Sequence, residues 1–352
     1  MVGYKFCEKL RSADKGKHFS LTVFGEESWP AYDRVHLSSY FSGSHPNDLL
    51  MAPKSWYLKN QIELRSNELI VEIDRAAKTI NNHLGHTFHY DYLILATGSS
   101  AFIPGIKGID KPGVFVYRTI EDLEAIKSYA AHCRSGAVLG GGLLGLEAAK
   151  AVLDMGLETH VIEFAPRLMP RQLDDAAAEL LKEKLEELNI RIHLKKDTKE
   201  IQGNGKLYGL AFKDDSFLKI DMLVISAGIK PRDELALNSG LETAPKGGIV
   251  VNERLLTSDP NIFAIGEVAS YKDTIYGLVA PGYEMASQVV NQLTGNEVKP
   301  FTGFDMSTKL KLIGVDVGSF GDPFGEEEAI QPIVYQNRKK GVYKRINISA
   351  DG

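Results

Sequence analysis

SGAVLGGGLLGLEAAKAVLDMGLETHVIEF, residues 135–164, carries an apolar run, a glycine turn, a helical stretch and a second apolar run in that order. Ala137-Val138-Leu139 suits a short strand buried in a parallel sheet. Gly140, Gly142 and Gly145 then spell G-x-G-x-x-G, Leu146 to Leu153 read as a helix, and THVIE is a strand closing on Glu163. Each glycine has a steric task. The first permits the tight turn, the second lets backbone approach a pyrophosphate, and the third lets helix pack closely on strand. The N–H groups and dipole of the helix N-terminus favour phosphate charge there. Glu163 comes about twenty residues on, where a carboxylate accepts hydrogen bonds from a ribose 2′-hydroxyl and repels a 2′-phosphate. The stretch therefore predicts a dinucleotide site with NADH favoured over NADPH, a preference that nearby Arg167 moderates.

The flanking sequence extends the pattern. RTIEDLEAI places Thr119 three residues before Asp122, a capping-box start to a helix. DDAAAELLKEKLEEL carries Ala177, Leu181, Leu185 and Leu188 at helical spacing and reads as scaffold. DMLVISAGIKPR is a buried strand running into a glycine turn at Gly228. Strands alternating with helices predict a parallel, doubly wound α/β sheet.

The opening MVGYKFCEKL, followed by LTVFGEE, repeats this grammar from part-way in. Gly3 stands where a third motif glycine would stand, residues 4–11 would form the helix, and SLTVF the strand ending at Glu26 and Glu27. The expectation is an encoded strand ending in G-x-G ahead of Met1. Without it, this sheet lacks its central strand and has two unpaired edges. YDYLILATGS is a strand followed by the small residues Ala96-Thr97-Gly98, and TSDPNIFAIGEVA a strand over Ile262–Ile265 followed by Gly266 and Glu267. Both turns suit the close approach of a second, bulky cofactor.

The 352 residues suffice for two or three domains, and a net charge of -5 provides no basic footprint for nucleic acid. The 2 cysteines, Cys7 and Cys133, are far apart and form no C-x-x-C. They are expected to be buried apolar side chains, not a disulfide, zinc or dithiol pair. The sequence shows neither a signal-peptide pattern nor an apolar run of the roughly 20 residues that a membrane span needs. The expected setting is reducing, soluble and cytoplasmic.

The order of partial glycine motif, ATG, GGGLLGLE, AGIKPR and TSDPNIFAIGE resembles that of the flavoproteins with two dinucleotide-binding domains, the disulfide-reductase superfamily. Within it, FGEESWPAYDRVHLSSYFSG, GLVAPGYEMA and FTGFDMSTKLKLIGVDVGSFGD resemble the N-terminal flavin region of NAD(P)H-dependent nitrite reductase large subunits. The resemblance implies an FAD domain over 1–115 and 246–300, an NAD(P)H domain over 116–245, and the start of a small α+β domain over 301–352. It implies Gly3 at the FAD pyrophosphate, Glu26 at the adenosine ribose, and Arg34, Ala96, Thr97 and Gly98 along the flavin nucleotide. Gly266 and Glu267 would meet the ribityl chain, and Glu147 the junction of nicotinamide and flavin. Relatives often carry lysine where Ser39 stands, and aspartate where Glu267 stands. The implied chemistry is hydride transfer from NADH to flavin, with electrons passed to iron–sulfur and siroheme centres in the parent protein or to a small subunit. No catalytic side chain is nominated. The 2 cysteines cannot ligate those centres, so nitrite reduction by this chain alone is not expected. A homodimer is compatible with the resemblance.

Two other readings stay open. One is a stand-alone NADH-dependent ferredoxin or rubredoxin reductase, against which MSTKLKLIGVDV speaks; the other is a nucleotide-binding fragment without activity. Near the C-terminus VYKRINIS alternates like a strand, whose hairpin partner is expected after the ADG turn and is missing, and RKK reads as a solvated loop.

Overall fold

A computed structural model describes residues 1–305, 307–312, 315–324 and 331–348. The chain divides into two compact units. The first comprises Met1–His36, His45–Ser100 and Ile229–Phe304; the second comprises Leu37–Ser44, Ala101–Gly228 and Asp305–Gly352.

The second unit is built on a five-stranded sheet in the order Ile190–His193, Glu158–Ile162, Ser135–Leu139, Met222–Ile225, Val114–Val116. All of its pairings are parallel. Ser135–Leu139 lies at the centre because both its faces are covered: Ala137 and Val138 are fully buried, as are Leu223 and Val161 on the neighbouring strands. The helix Leu143–Asp154 buries Gly145, Leu146, Ala148, Ala149, Ala151 and Val152, an apolar stripe at helical spacing. Thr119 caps Ile120–Ala130 through the reciprocal hydrogen bonds its spacing predicted. In Asp175–Glu187 the buried residues are Ala178, Leu181 and Leu185, so the stripe passes one residue beyond the expected Ala177.

The residues from 305 onward that are described form two antiparallel hairpins, Thr308–Leu312 with Val315–Ser319 and Gln331–Asn337 with Val342–Ile348. This corrects one expectation. The strand VYKRINI does have a hairpin partner within the chain, Gln331–Asn337, which precedes it. Arg338–Lys340 is an exposed 3-10 turn and Gly341 adopts the left-handed conformation that closes it, so RKK is the hairpin turn. Met306, Ile313, Gly314 and the ADG turn lie outside the described residues. The second hairpin is tied down at Asp174, the N-cap of Asp175–Glu187. Its carboxylate accepts hydrogen bonds from the Tyr343 hydroxyl at 2.5 Å and from Arg345 Nη1 at 2.9 Å.

In the first unit Leu21–Gly25 pairs in parallel with Ile62–Ser66, and Leu93–Leu95 with Ile262–Ala264. These are two separate ladders. One apolar core runs beneath both, with Phe6, Cys7 and Leu10 from the helix Val2–Ala13 packed among Ile262, Ala264, Met285 and Val289. Cys7 is buried as expected; Cys133, in the second unit, is only half-buried, and both are free thiols.

A histidine pair joins the edge strand Ile190–His193 to its neighbour Glu158–Ile162. His160 Nδ1 and His193 Nε2 lie 3.0 Å apart with the rings stacked. One ring must donate and the other accept, so the two rings cannot both be charged while the contact is kept. Burial is the first cause that holds both pKa values below the ordinary 6.5. The unfolded chain therefore takes up protons that the folded chain refuses. Stability is complete above about pH 6.5 and is lost as the pH falls through the lower folded values. We expect the urea midpoint to fall between about pH 7.5 and 5.5, and to fall less in a His193→Gln variant. Equal drops in the two proteins would show that the pair does not contribute.

Candidate functional site

The glycine turn follows the central strand of the second unit, at the carboxyl end of the sheet where the strand order reverses. Open α/β sheets bind ligands at such a place. Gly140 has φ +124°, and a side chain there would run into the carbonyl of Ser226, just past the end of the neighbouring strand Met222–Ile225. A Cβ on Gly145 would collide with the carbonyl oxygen of Gly140, so only glycine lets the helix come this close. Gly142 is different. A Cβ built there meets nothing within 4 Å, so the backbone presents an open face. Gly142 is also the N-cap of Leu143–Asp154, and no side chain caps that helix. Its first-turn N–H groups and dipole are therefore directed at open space.

Glu163 stands at the end of the next strand, and its carboxylate is held in place by backbone. The N–H of Gly141 donates to Oε2 at 2.6 Å and that of Ala165 to Oε1 at 2.7 Å. The sequence predicted the position of this acid but not the clamp that orients it. Arg167 is engaged locally: it donates to Asp175 at 2.9 Å and to the Pro170 carbonyl at 3.5 Å. Glu147 lies one turn into the helix. Its carboxylate is near enough to the buried Tyr117 hydroxyl to add to the upward pKa shift that burial imposes there. Gly228, with φ +119°, closes the turn after Met222–Ile225. Gly140, Gly142, Gly145, Glu147, Glu163 and Gly228 thus all belong to one unit. The open Gly142 face, the uncapped helix and the clamped acid fit the pyrophosphate and ribose of a dinucleotide.

The eight residues predicted for FAD all fall in the first unit. Gly3 is in the first turn of Val2–Ala13, where a Cβ would touch that of Ala96 at 3.5 Å. Val2 packs against Gly266 and Gly282 so closely that side chains at those glycines would meet it. Gly3, Ala96 and Gly266 are thereby drawn to one place. Gly266 has φ +80°, and the adjacent Glu267 accepts a hydrogen bond from Ser99 at 2.6 Å. Gly98 faces open space, while Thr97 donates to the Arg232 carbonyl at 2.8 Å. Arg34 pairs with Glu27 and lies over the ring of Tyr32.

Glu26 has a partner that the sequence reading missed. Arg232 grips both its carboxylate oxygens, and this hydrogen bonding is the first cause that holds Glu26 below the usual carboxylate range. The two residues are 206 positions apart, and the only local signal was the arginine closing AGIKPR. These residues fit a second dinucleotide: an uncapped helix start, small-residue turns at Ala96–Gly98 and Gly266, and carboxylates at Glu26 and Glu267.

Residues 2–292 match the family described as pyridine nucleotide-disulphide oxidoreductase. The chain belongs to this family. It is 49% identical to the nitrite reductase (NADH) large subunit of Escherichia coli (strain K12), a match covering 100% of this chain and 42% of that protein. It is 39% identical to the assimilatory nitrate reductase electron transfer subunit of Bacillus subtilis (strain 168), over 98% of the chain and 44% of the relative. The chain thus spans less than half the length of these two relatives. A solved structure, the ferredoxin reductase for the CYP199A2 system from Rhodopseudomonas palustris, superposes with a TM-score of 0.91 at 27% identity. That match covers 99% of this chain and 86% of the other. The fold is that of flavoprotein reductases with two dinucleotide-binding domains.

The glycine geometry separates two substitutions that look alike in sequence. Gly145→Ala forces backbone apart and should lower stability by roughly 1–3 kcal/mol. Gly142→Ala projects into open space and should lower the urea midpoint far less, by only the small cost of alanine at a helix N-cap. Comparable losses in both variants would contradict the packing described.

Proposed function

We propose that the chain is an NADH-oxidising, FAD-binding module of the nitrite reductase large-subunit type, which hands electrons to a separate acceptor. The observation that carries this is the turn of the second unit, where an open Gly142 backbone, an uncapped helix N-terminus and the clamped Glu163 carboxylate come together. The likeness to the E. coli large subunit and the B. subtilis electron transfer subunit supports the choice of acceptor.

In this proposal Gly140, Gly142 and Gly145 seat the pyrophosphate of NADH on the helix, and Glu163 receives the adenosine ribose. Glu147 and Gly228 flank the nicotinamide half. In the first unit Gly3 and the start of Val2–Ala13 hold the FAD pyrophosphate, and Glu26 its adenosine ribose. Arg34, Ala96, Thr97 and Gly98 line the nucleotide, and Gly266 with Glu267 meets the ribityl chain. Bound flavin would supply the two-electron acceptance from NADH and the onward release of electrons. The protein's own share is to bind, orient and exclude water, and no side chain is assigned as nucleophile or general acid. With 2 cysteines and no C-x-x-C, no dithiol takes part, and iron–sulfur and siroheme centres would lie outside this chain. Among the described residues no helix is long and apolar enough to cross a membrane, and we propose a cytoplasmic setting.

NADH is preferred over NADPH in this proposal because Glu163 would repel a 2′-phosphate and Arg167 is engaged elsewhere. The test is anaerobic titration of the purified full chain, supplied with FAD, with each nucleotide. We expect the flavin absorption to bleach with NADH, with NADPH needed at about tenfold or higher concentration. Gly142→Ala should raise the NADH requirement by about tenfold while folding normally. A chain that takes up no flavin would overturn the module, and equal response to both nucleotides would overturn the role of Glu163. The close superposition on a ferredoxin reductase favours a second reading, a stand-alone reductase with a small protein acceptor. Rapid reduction of ferredoxin by the loaded chain would select it.

A further inference from the structure

The residue after the clamped acid is Phe164, and its side chain is 72% exposed. A lone exposed aromatic is ordinary on a protein surface and says little by itself. The place of this one is informative, because the backbone on both sides of it is fixed. The Glu163 N–H donates to the His193 carbonyl at 2.9 Å, and the Glu163 carbonyl accepts from Lys196 at 3.0 Å. On the other side, the Ala165 carbonyl accepts from Lys195 at 3.1 Å and the Ala165 N–H donates to Glu163 Oε1 at 2.7 Å. The ring therefore leaves the chain from a rigid point beside the carboxylate, with most of its surface in water.

A ribose held by Glu163 carries its base on the next carbon, within reach of the neighbouring side chain. The π-face of an aromatic ring accepts any base by stacking, and each such contact is worth about tenfold or more in affinity. We propose that Phe164 is the adenine platform of the second unit, stacking on the base of the dinucleotide whose ribose Glu163 receives. This rests on the reading of that unit as the NADH site. It also assigns the ring a part in nucleotide choice. The two residues that meet the adenosine end are then an anion and an apolar face, neither of which can take a 2′-phosphate.

The test uses the full chain and equilibrium binding, not turnover. Wild type and Phe164→Ala are titrated by calorimetry with NADH, with ADP-ribose, and with reduced nicotinamide mononucleotide, which has no adenine. With the side chain so exposed, the substitution should leave the fold intact, as near-UV circular dichroism would record. The expected result is a rise of about tenfold in Kd for NADH and ADP-ribose, no change for the mononucleotide, and recovery in Phe164→Trp. Unchanged ADP-ribose binding in Phe164→Ala overturns the platform, and so does an equal loss for the mononucleotide. If wild type itself fails to bind ADP-ribose, the NADH site falls first and the platform with it.

Discussion

The second unit depends on one close approach, that of Gly145 to the carbonyl of Gly140. With no side chain between them, the helix Leu143–Asp154 starts almost on top of the strand Ser135–Leu139. Everything near the turn follows from that distance. The helix N-terminus is aimed beyond the carboxyl ends of the strands, and Gly142 is left facing open space. Gly141 is brought to where its N–H meets Glu163 at 2.6 Å. A single methyl group at residue 145 would push the helix outward and undo all three. The requirement is steric, which is why a pattern of three glycines carries so much information.

The first unit achieves a similar placement by other means. Its strands Leu21–Gly25, Ile62–Ser66, Leu93–Leu95 and Ile262–Ala264 form two separate parallel ladders, so no continuous parallel sheet sets the position of the helix Val2–Ala13. That helix is positioned by packing instead. Val2 lies against Gly266 and Gly282, and Phe6, Cys7 and Leu10 join a core with Met285 and Val289 from Val279–Leu293. Because Gly266 and Gly282 have no side chains, the start of one helix can approach both the turn after Ile262–Ala264 and the other helix. Apolar burial here does what the close approach of Gly145 to Gly140 does in the second unit.

What the sequence made legible was what sterics and periodicity impose locally. The glycine turn, the acid at Glu163, the Thr119 cap and the buried strands could be read because each depends on residues a few positions apart. Long-range pairings could not. Arg232 reaches Glu26 across 206 positions, and nothing near either residue specifies the other. The partner of Val342–Ile348 was missed because Gln331–Asn337 mixes polar residues and a proline into its strand, and its residues are exposed on both faces. With neither face buried, no alternation marks it. Phe164 was overlooked for the opposite reason. It follows the acid that closes the strand THVIE and belongs to no motif, and only the fold shows that burial stops at Ile162 and leaves its ring in water.

In the proposed reading the Glu26–Arg232 pair serves binding more than stability. Both side chains are about one-third exposed, with relative accessibilities of 35% and 36%, and pairs in that setting add little to folding. Their effect on each other is nevertheless specific. The guanidinium takes one hydrogen-bonding position on each carboxylate oxygen and holds the acid ionised. A carboxylate oxygen has two acceptor positions, so each retains one. A ribose hydroxyl can therefore be received without breaking the pair, by an acceptor whose charge and orientation are already set. Glu163 reaches the same condition with two backbone N–H groups. The two units thus orient an acid at the end of a strand in different ways. In each, the free lone pairs left on that acid are what a bound nucleotide would use.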